Sequence, residues 1–104
     1  MSIHVTAEFQ VTKEAVGSIV GAIERFVSNI QDTEPGTLIY RSLQNAEDET
    51  KFLHEMEFKD DSAREAHQQS QGTSEFVEIL YPRCVAGPEF TDYREVSAAE
   101  RERL

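Results

Sequence analysis

The sequence predicts one α+β domain of ferredoxin-like order, β-α-β-β-α-β, with a four-stranded antiparallel sheet and helices on one side. Three observations carry this. Residues 3–11 alternate apolar and polar; residues 16–30 repeat apolar side chains at three- and four-residue spacing; two more strand-like runs flank a short polar loop. The 104 residues fit a single domain, 1–104, and leave no room for two.

The first strand, Ile3 to Val11, puts Ile3, Val5, Ala7, Phe9 and Val11 on one face and His4, Thr6, Glu8 and Gln10 on the other. Thr12 reads as an N-cap, with Glu14 and Ala15 opening a helix. Val16, Ile19, Val20, Ile23, Phe26, Val27 and Ile30 then form one apolar stripe, leaving Glu24, Arg25 and Ser28 wet. Gly17 and Gly21 each cost roughly 1 kcal/mol of helix propensity against alanine. Either their spacing brings the helix close to the sheet, or they are simply tolerated.

Glu34-Pro35-Gly36 ends the helix and turns the chain. The second strand, Thr37 to Gln44, sets Leu38 and Tyr40 opposite Ile39, Arg41 and Leu43. A polar tip containing Glu47-Asp48-Glu49 leads to the third strand, Thr50 to Phe58, completing an antiparallel hairpin. Phe52, His54, Met56 and Phe58 share one face of that strand. Asp60-Asp61-Ser62 caps a helix from Ala63 to Ser70, and Gln71-Gly72-Thr73 breaks it. A short helix, Ser74 to Tyr81, a loop from Pro82 to Pro88 and a last strand, Glu89 to Val96, follow. The charged tail, 97–104, is helix-prone and expected to fray.

Composition narrows the class of function. Twenty acidic residues against ten basic ones give a net charge of −10, which repels phosphate backbones and anionic lipid. Nucleic acid and membrane partners are therefore not expected. The lone Cys84 excludes an intrachain disulfide and a thiolate zinc site, and suits a reducing compartment. With no leader-like or membrane-length apolar run, a cytoplasmic location is expected. Strands two and three carry apolar residues on both faces, so the sheet face away from the helices needs a cover. A second copy of the same sheet is the simplest one, which predicts a homodimer.

Several short motifs, in order, resemble those of the antibiotic biosynthesis monooxygenase family. Glu34-Pro35-Gly36-Thr37-Leu38-Ile39-Tyr40 is similar to its turn-and-strand signature. Phe52, Phe58, Asp60, Ala63, Ala66 and His67 resemble the next one: a strand ending in an aromatic, an acidic cap and a helix with Ala-His. Phe76 matches a following aromatic, and residues 89–96 fit the last strand. The resemblance implies a dimeric α+β barrel with a pocket in each subunit between sheet and helices. It also implies cofactor-independent oxygenation of small phenols or quinols, haem degradation, or an isomerase-like reaction. The chain departs from the pattern at three places. Phe58 stands where relatives often carry tryptophan, Met56 where many carry glutamate, and Gly72 where many carry histidine. The Asn, Trp and His set of the haem-degrading branch is not matched, which disfavours that activity.

The candidate catalytic residues are His67, His54 and Tyr40. His67 shares a helix face with Ala63, Ala66 and Ser70, small neighbours that leave room for a ligand. Histidine titrates near neutrality, so His67 can take a proton from a phenol or enol, and the electron-rich product can reduce oxygen without a metal. The bland alternative is a buried histidine hydrogen-bonded across helix and strand. His54 joins His67 in one pocket if its face looks toward the helices, and is an interface residue otherwise. Tyr40 either donates to a substrate oxygen or packs with its hydroxyl satisfied. Phe52, Met56, Phe58, Ala63, Ser70 and Phe76 complete the expected pocket. No metal or cofactor motif is present, since His54 and His67 lack a patterned carboxylate partner. The functional readings are thus a cofactor-independent oxidoreductase of a small aromatic or quinol-like molecule, a non-catalytic dimeric ligand-binding module, or an isomerase or cyclase using the same pocket.

Overall fold

The computed structural model describes residues 2–102. Four strands, β1 (Ile3–Val11), β2 (Thr37–Gln44), β3 (Lys51–Phe58) and β4 (Cys84–Tyr93), form one antiparallel sheet in the order β2-β3-β1-β4. Three helices, α1 (Val16–Thr33), α2 (Asp61–Gln68) and α3 (Gln71–Leu80), connect them. This is the expected ferredoxin-like α+β order, with α2 and α3 making up its second helical segment.

The sheet is half-buried because its strands alternate. Val5, Ala7, Phe9 and Val11 of β1 are buried, as are Phe52, His54, Met56 and Phe58 of β3. The α1 stripe packs on this face through Ile19, Ala22, Ile23, Phe26 and Ile30. The opposite sheet face has no helix over it. Ile39 and Leu43 remain exposed there, and Arg41 approaches Glu55 of its own chain at 3.5 Å. Gly17 has nothing near its would-be Cβ and Gly21 meets only the Arg25 side chain, so neither brings α1 closer to the sheet.

Three boundaries differ from the sequence expectation. The helical break falls at Gln69 and Ser70, not at Gln71-Gly72-Thr73. Ser70 is the N-cap of α3, its hydroxyl oxygen accepting from the Thr73 amide at 3.1 Å, so the three residues expected to break the helix begin one. Asp60 caps α2 in the same way, accepting from Ala63 N at 2.9 Å. The last strand starts at Cys84 rather than Glu89 and stops at Tyr93 rather than Val96. Pro82 sits in a short 3₁₀ turn, Tyr81–Arg83, and the strand begins directly after it. Gly87, at φ 75°, lets the strand shift register against β1 between Glu8 and Gln10 instead of ending in a loop. Residues 94–102 have no regular structure, and 103–104 lie outside the described residues.

Gly36 fixes the turn after α1 against α2. A Cβ built there would stand 2.6 Å from Ala63 Cβ, inside any real carbon contact. Gly36→Ala should therefore destabilise the protein by about 1–3 kcal/mol, the range for forced overpacking. Ala63→Gly should recover part of that loss in the double variant. Urea midpoints of the four proteins measure the cycle, and strictly additive losses would rule the contact out.

Candidate functional site

The sheet and the C-terminal helices enclose a cavity of about 330 Å³. β1, β3 and β4 make its floor; α2 and α3 flank it. The structure brings His67, His54, Tyr40, Met56, Phe58 and Phe76 together in its wall. Phe52, Ala63 and Ser70, also expected there, lie outside it. Phe52 stacks on Phe9 at 5.3 Å further along the sheet, Ala63 is pressed against Gly36, and Ser70 is used as the α3 cap.

His67 lies in the last turn of α2. Its Nδ1 is 2.7 Å from Glu34 Oε1, and both side chains are more than nine-tenths buried. Glu34 closes α1, in the turn that Gly36 holds against α2. The same carboxylate oxygen accepts from the Thr37 hydroxyl at 2.8 Å. A carboxylate accepts hydrogen bonds, so the imidazole donates from Nδ1, and in the neutral ring the lone pair is then on Nε2. That nitrogen makes no hydrogen bond among the described residues. Phe58, Tyr40 and Phe26 surround the ring at centroid distances of 5.2, 5.6 and 5.8 Å. The His67 carbonyl accepts from the Thr73 hydroxyl at 2.6 Å, which fixes the corner between α2 and α3. In the sequence Glu34 stands as a turn residue within the family-like turn-and-strand motif, with no sign of a histidine partner. Its acidic side chain at a helix end was the available signal, but its partner lies 33 residues away.

His54 faces the helices, not the uncovered sheet side, and is 1% exposed. Its Nδ1 is 2.7 Å from the Tyr40 hydroxyl. Burial, reinforced by the negative charge of Glu34, pushes the Tyr40 phenol well above its ordinary range, so it stays protonated. The phenol is the better donor and has no other partner among the described residues, so it donates to Nδ1 and leaves the His54 proton on Nε2. Nε2 is enclosed without a partner, between Phe9 at a 5.0 Å centroid distance and Phe76 at 6.0 Å. Burial lowers the His54 pKa to about 4. His54 therefore forms wall and offers no free lone pair, while His67 does.

His4 and Cys84 stand apart from the cavity. His4 is paired in register with Glu57 and Tyr93, away from the cavity. Burial pushes the Cys84 thiol up, and the neighbouring Arg83 donates to the Ile79 carbonyl. Among the described residues no three His, Cys, Asp or Glu side chains form a group that could hold a metal ion.

Residues 2–79 match the sequence model of the family described as antibiotic biosynthesis monooxygenase. No curated protein matches the chain. Several solved structures share the fold. A conserved protein from Methanosarcina mazei Go1 is 23% identical, with a TM-score of 0.83 over 91% of this chain and 93% of that one. A structure titled antibiotic biosynthesis monooxygenase is 18% identical, with a TM-score of 0.84 over 91% and 99%. Rv0793 from Mycobacterium tuberculosis is 13% identical, with a TM-score of 0.85 over 96% and 100%.

The buried His54 makes stability depend on pH. Below about 6.5 the unfolded chain protonates this histidine, while the folded protein does so only near 4. The unfolded state thus binds more protons throughout that window, and stability falls as pH drops through it. The loss attributable to His54 is about 3 kcal/mol, at roughly 1.36 kcal/mol per unit. Urea unfolding between pH 4.5 and 7.5 should show a shallower slope for His54→Gln than for the parent. Equal slopes would mean that His54 is not held neutral.

Proposed function

Because the chain belongs to the antibiotic biosynthesis monooxygenase family, we propose that it oxygenates a small phenol or quinol in this cavity without a cofactor. The observation that carries the reading is the Glu34–His67 pair in the wall of a largely apolar, aromatic cavity, with Nε2 as the ring nitrogen that Glu34 does not engage. Glu34 holds the imidazole in the right tautomer and stabilises the imidazolium formed when Nε2 takes the phenol proton. The phenolate passes one electron to dioxygen, and the aryloxyl radical and superoxide combine in a C–O bond at a ring carbon. His67 returns its proton to the peroxide. The ring carbon then loses its hydrogen, the O–O bond breaks, and one oxygen leaves as water while the other stays as the quinone carbonyl. One phenol and one dioxygen thus give one quinone and one water. The cavity is about twice the ~150 Å³ that accommodates benzene, room for two fused rings.

Oxygen uptake with a panel of naphthols and quinols tests the reading. His67→Ala should lower kcat at least about 100-fold, the lower end of general-base contributions. Glu34→Gln, which keeps the shape but not the charge, should lower kcat and leave KM nearly unchanged. Binding without uptake by the parent would favour the ligand-binding alternative; conversion without uptake would favour an isomerase.

We also propose that two copies pair through the uncovered sheet face. Ile39, Leu43 and Tyr93 are 39%, 42% and 56% exposed, a cost that a second sheet would remove. Sizing at micromolar concentration should give a dimer, and Ile39→Lys with Leu43→Lys should give a folded monomer. A monomeric parent would end the pairing model.

A further inference from the structure

The cavity carries a charge pattern that the proton chemistry of His67 does not use. A guanidinium and a carboxylate side chain stand in its wall, Arg64 from α2 and Asp92 from β4. The Arg64 guanidinium donates to Asp92 Oδ2 at 3.0 Å and, from its other terminal nitrogen, to Asp61 Oδ1 at 3.2 Å. Asp92 sits opposite Val5 of β1, so the bond reaches from α2 over the first strand to the edge strand. The cation is engaged twice, and one positive charge faces two negative ones.

Deeper in, the ionic pattern does not reverse. The Glu34 carboxylate stands behind His67, with Oε2 buried and unpartnered. Tyr40 donates to His54 and both remain uncharged. The remaining wall is largely aromatic and aliphatic, including Phe26, Phe58 and Leu80. An anionic group entering this space leaves water and finds no free cation among the described residues, which is strongly unfavourable. The net charge of −10 adds repulsion during approach.

Resting on the phenol reading of the cavity, we propose that the site selects substrates with no permanent negative charge, and that Asp92 enforces this by occupying Arg64. A guanidinium is otherwise well suited to grip a carboxylate or sulfonate through paired hydrogen bonds. The substrate therefore enters neutral and becomes an anion only by handing its proton to His67. Asp92 is a specificity-determining residue with no part in that transfer.

Calorimetric titration tests this with three probes: naphthol, a sulfonated naphthol and a carboxylated naphthol. The parent should bind naphthol at least about tenfold more tightly than either anion, equivalent to 1.4 kcal/mol. Asp92→Asn should tighten both anions several-fold relative to naphthol. Adding Arg64→Gln should remove that gain. Asp92 is 66% exposed, so its replacement leaves the core untouched. Equal affinity of the parent for all three probes, or no change in the ratio with Asp92→Asn, would overturn the inference. Binding of none of the three would overturn it together with the phenol reading. Charge discrimination without oxygen uptake would overturn the oxygenase reading alone.

Discussion

A carboxylate and an imidazole, both almost wholly buried, meet at 2.7 Å between the end of α1 and the end of α2. Burying such groups is costly, and the cost is offset only when they pair. Here the pairing is incomplete, because Glu34 Oε2 has no partner. The contact depends on a turn tight enough to bring the end of α1 against α2. Gly36 permits that turn by meeting Ala63 at a distance no side chain would allow. It also depends on the α2–α3 corner, which the Thr73 hydroxyl fixes by donating to the His67 carbonyl. A local glycine, a helix cap and a long-range hydrogen bond thus converge on one imidazole orientation.

The two cavity histidines are prepared in opposite ways. Glu34 accepts from His67 and leaves Nε2 with a lone pair; Tyr40 donates to His54 and leaves Nε2 with a proton. Of the two rings, His67 is the one that can take a proton from something in the cavity. His54 is neutral, dry and ringed by aromatic side chains, so it shapes the wall and holds Tyr40 in place. The aromatic wall and the proton acceptor have different origins in the fold. Alternating β1 and β3 supply most of the former, and the helix connection supplies the latter.

Much of this was legible in the sequence because it is local. The α1 stripe, the alternation of β1 and the Asp60 cap each follow from neighbours a few residues apart. His67 was legible as a candidate because small residues share its helix face, and the family resemblance pointed to the same histidine. The role of Glu34 was not, since its hydrogen bond to His67 exists only after two distant segments fold together. The face of His54 was undecided because the third strand carries apolar residues on both sides, and period two alone cannot say which side the helices cover. The early start of β4 was hidden by Pro82 and Gly87, which read as loop residues but serve a 3₁₀ turn and a register shift. Phe52, Ala63 and Ser70 share sequence faces with cavity residues but are taken by stacking, close packing and capping.

The two histidines hold opposite tautomers, and nitrogen NMR of the imidazole rings at neutral pH reads them directly. His67 should show a protonated Nδ1 with a bare Nε2, and His54 a bare Nδ1 with a protonated Nε2. A His67 ring protonated on Nε2 with a bare Nδ1 would contradict this assignment, because Nε2 would then carry no lone pair.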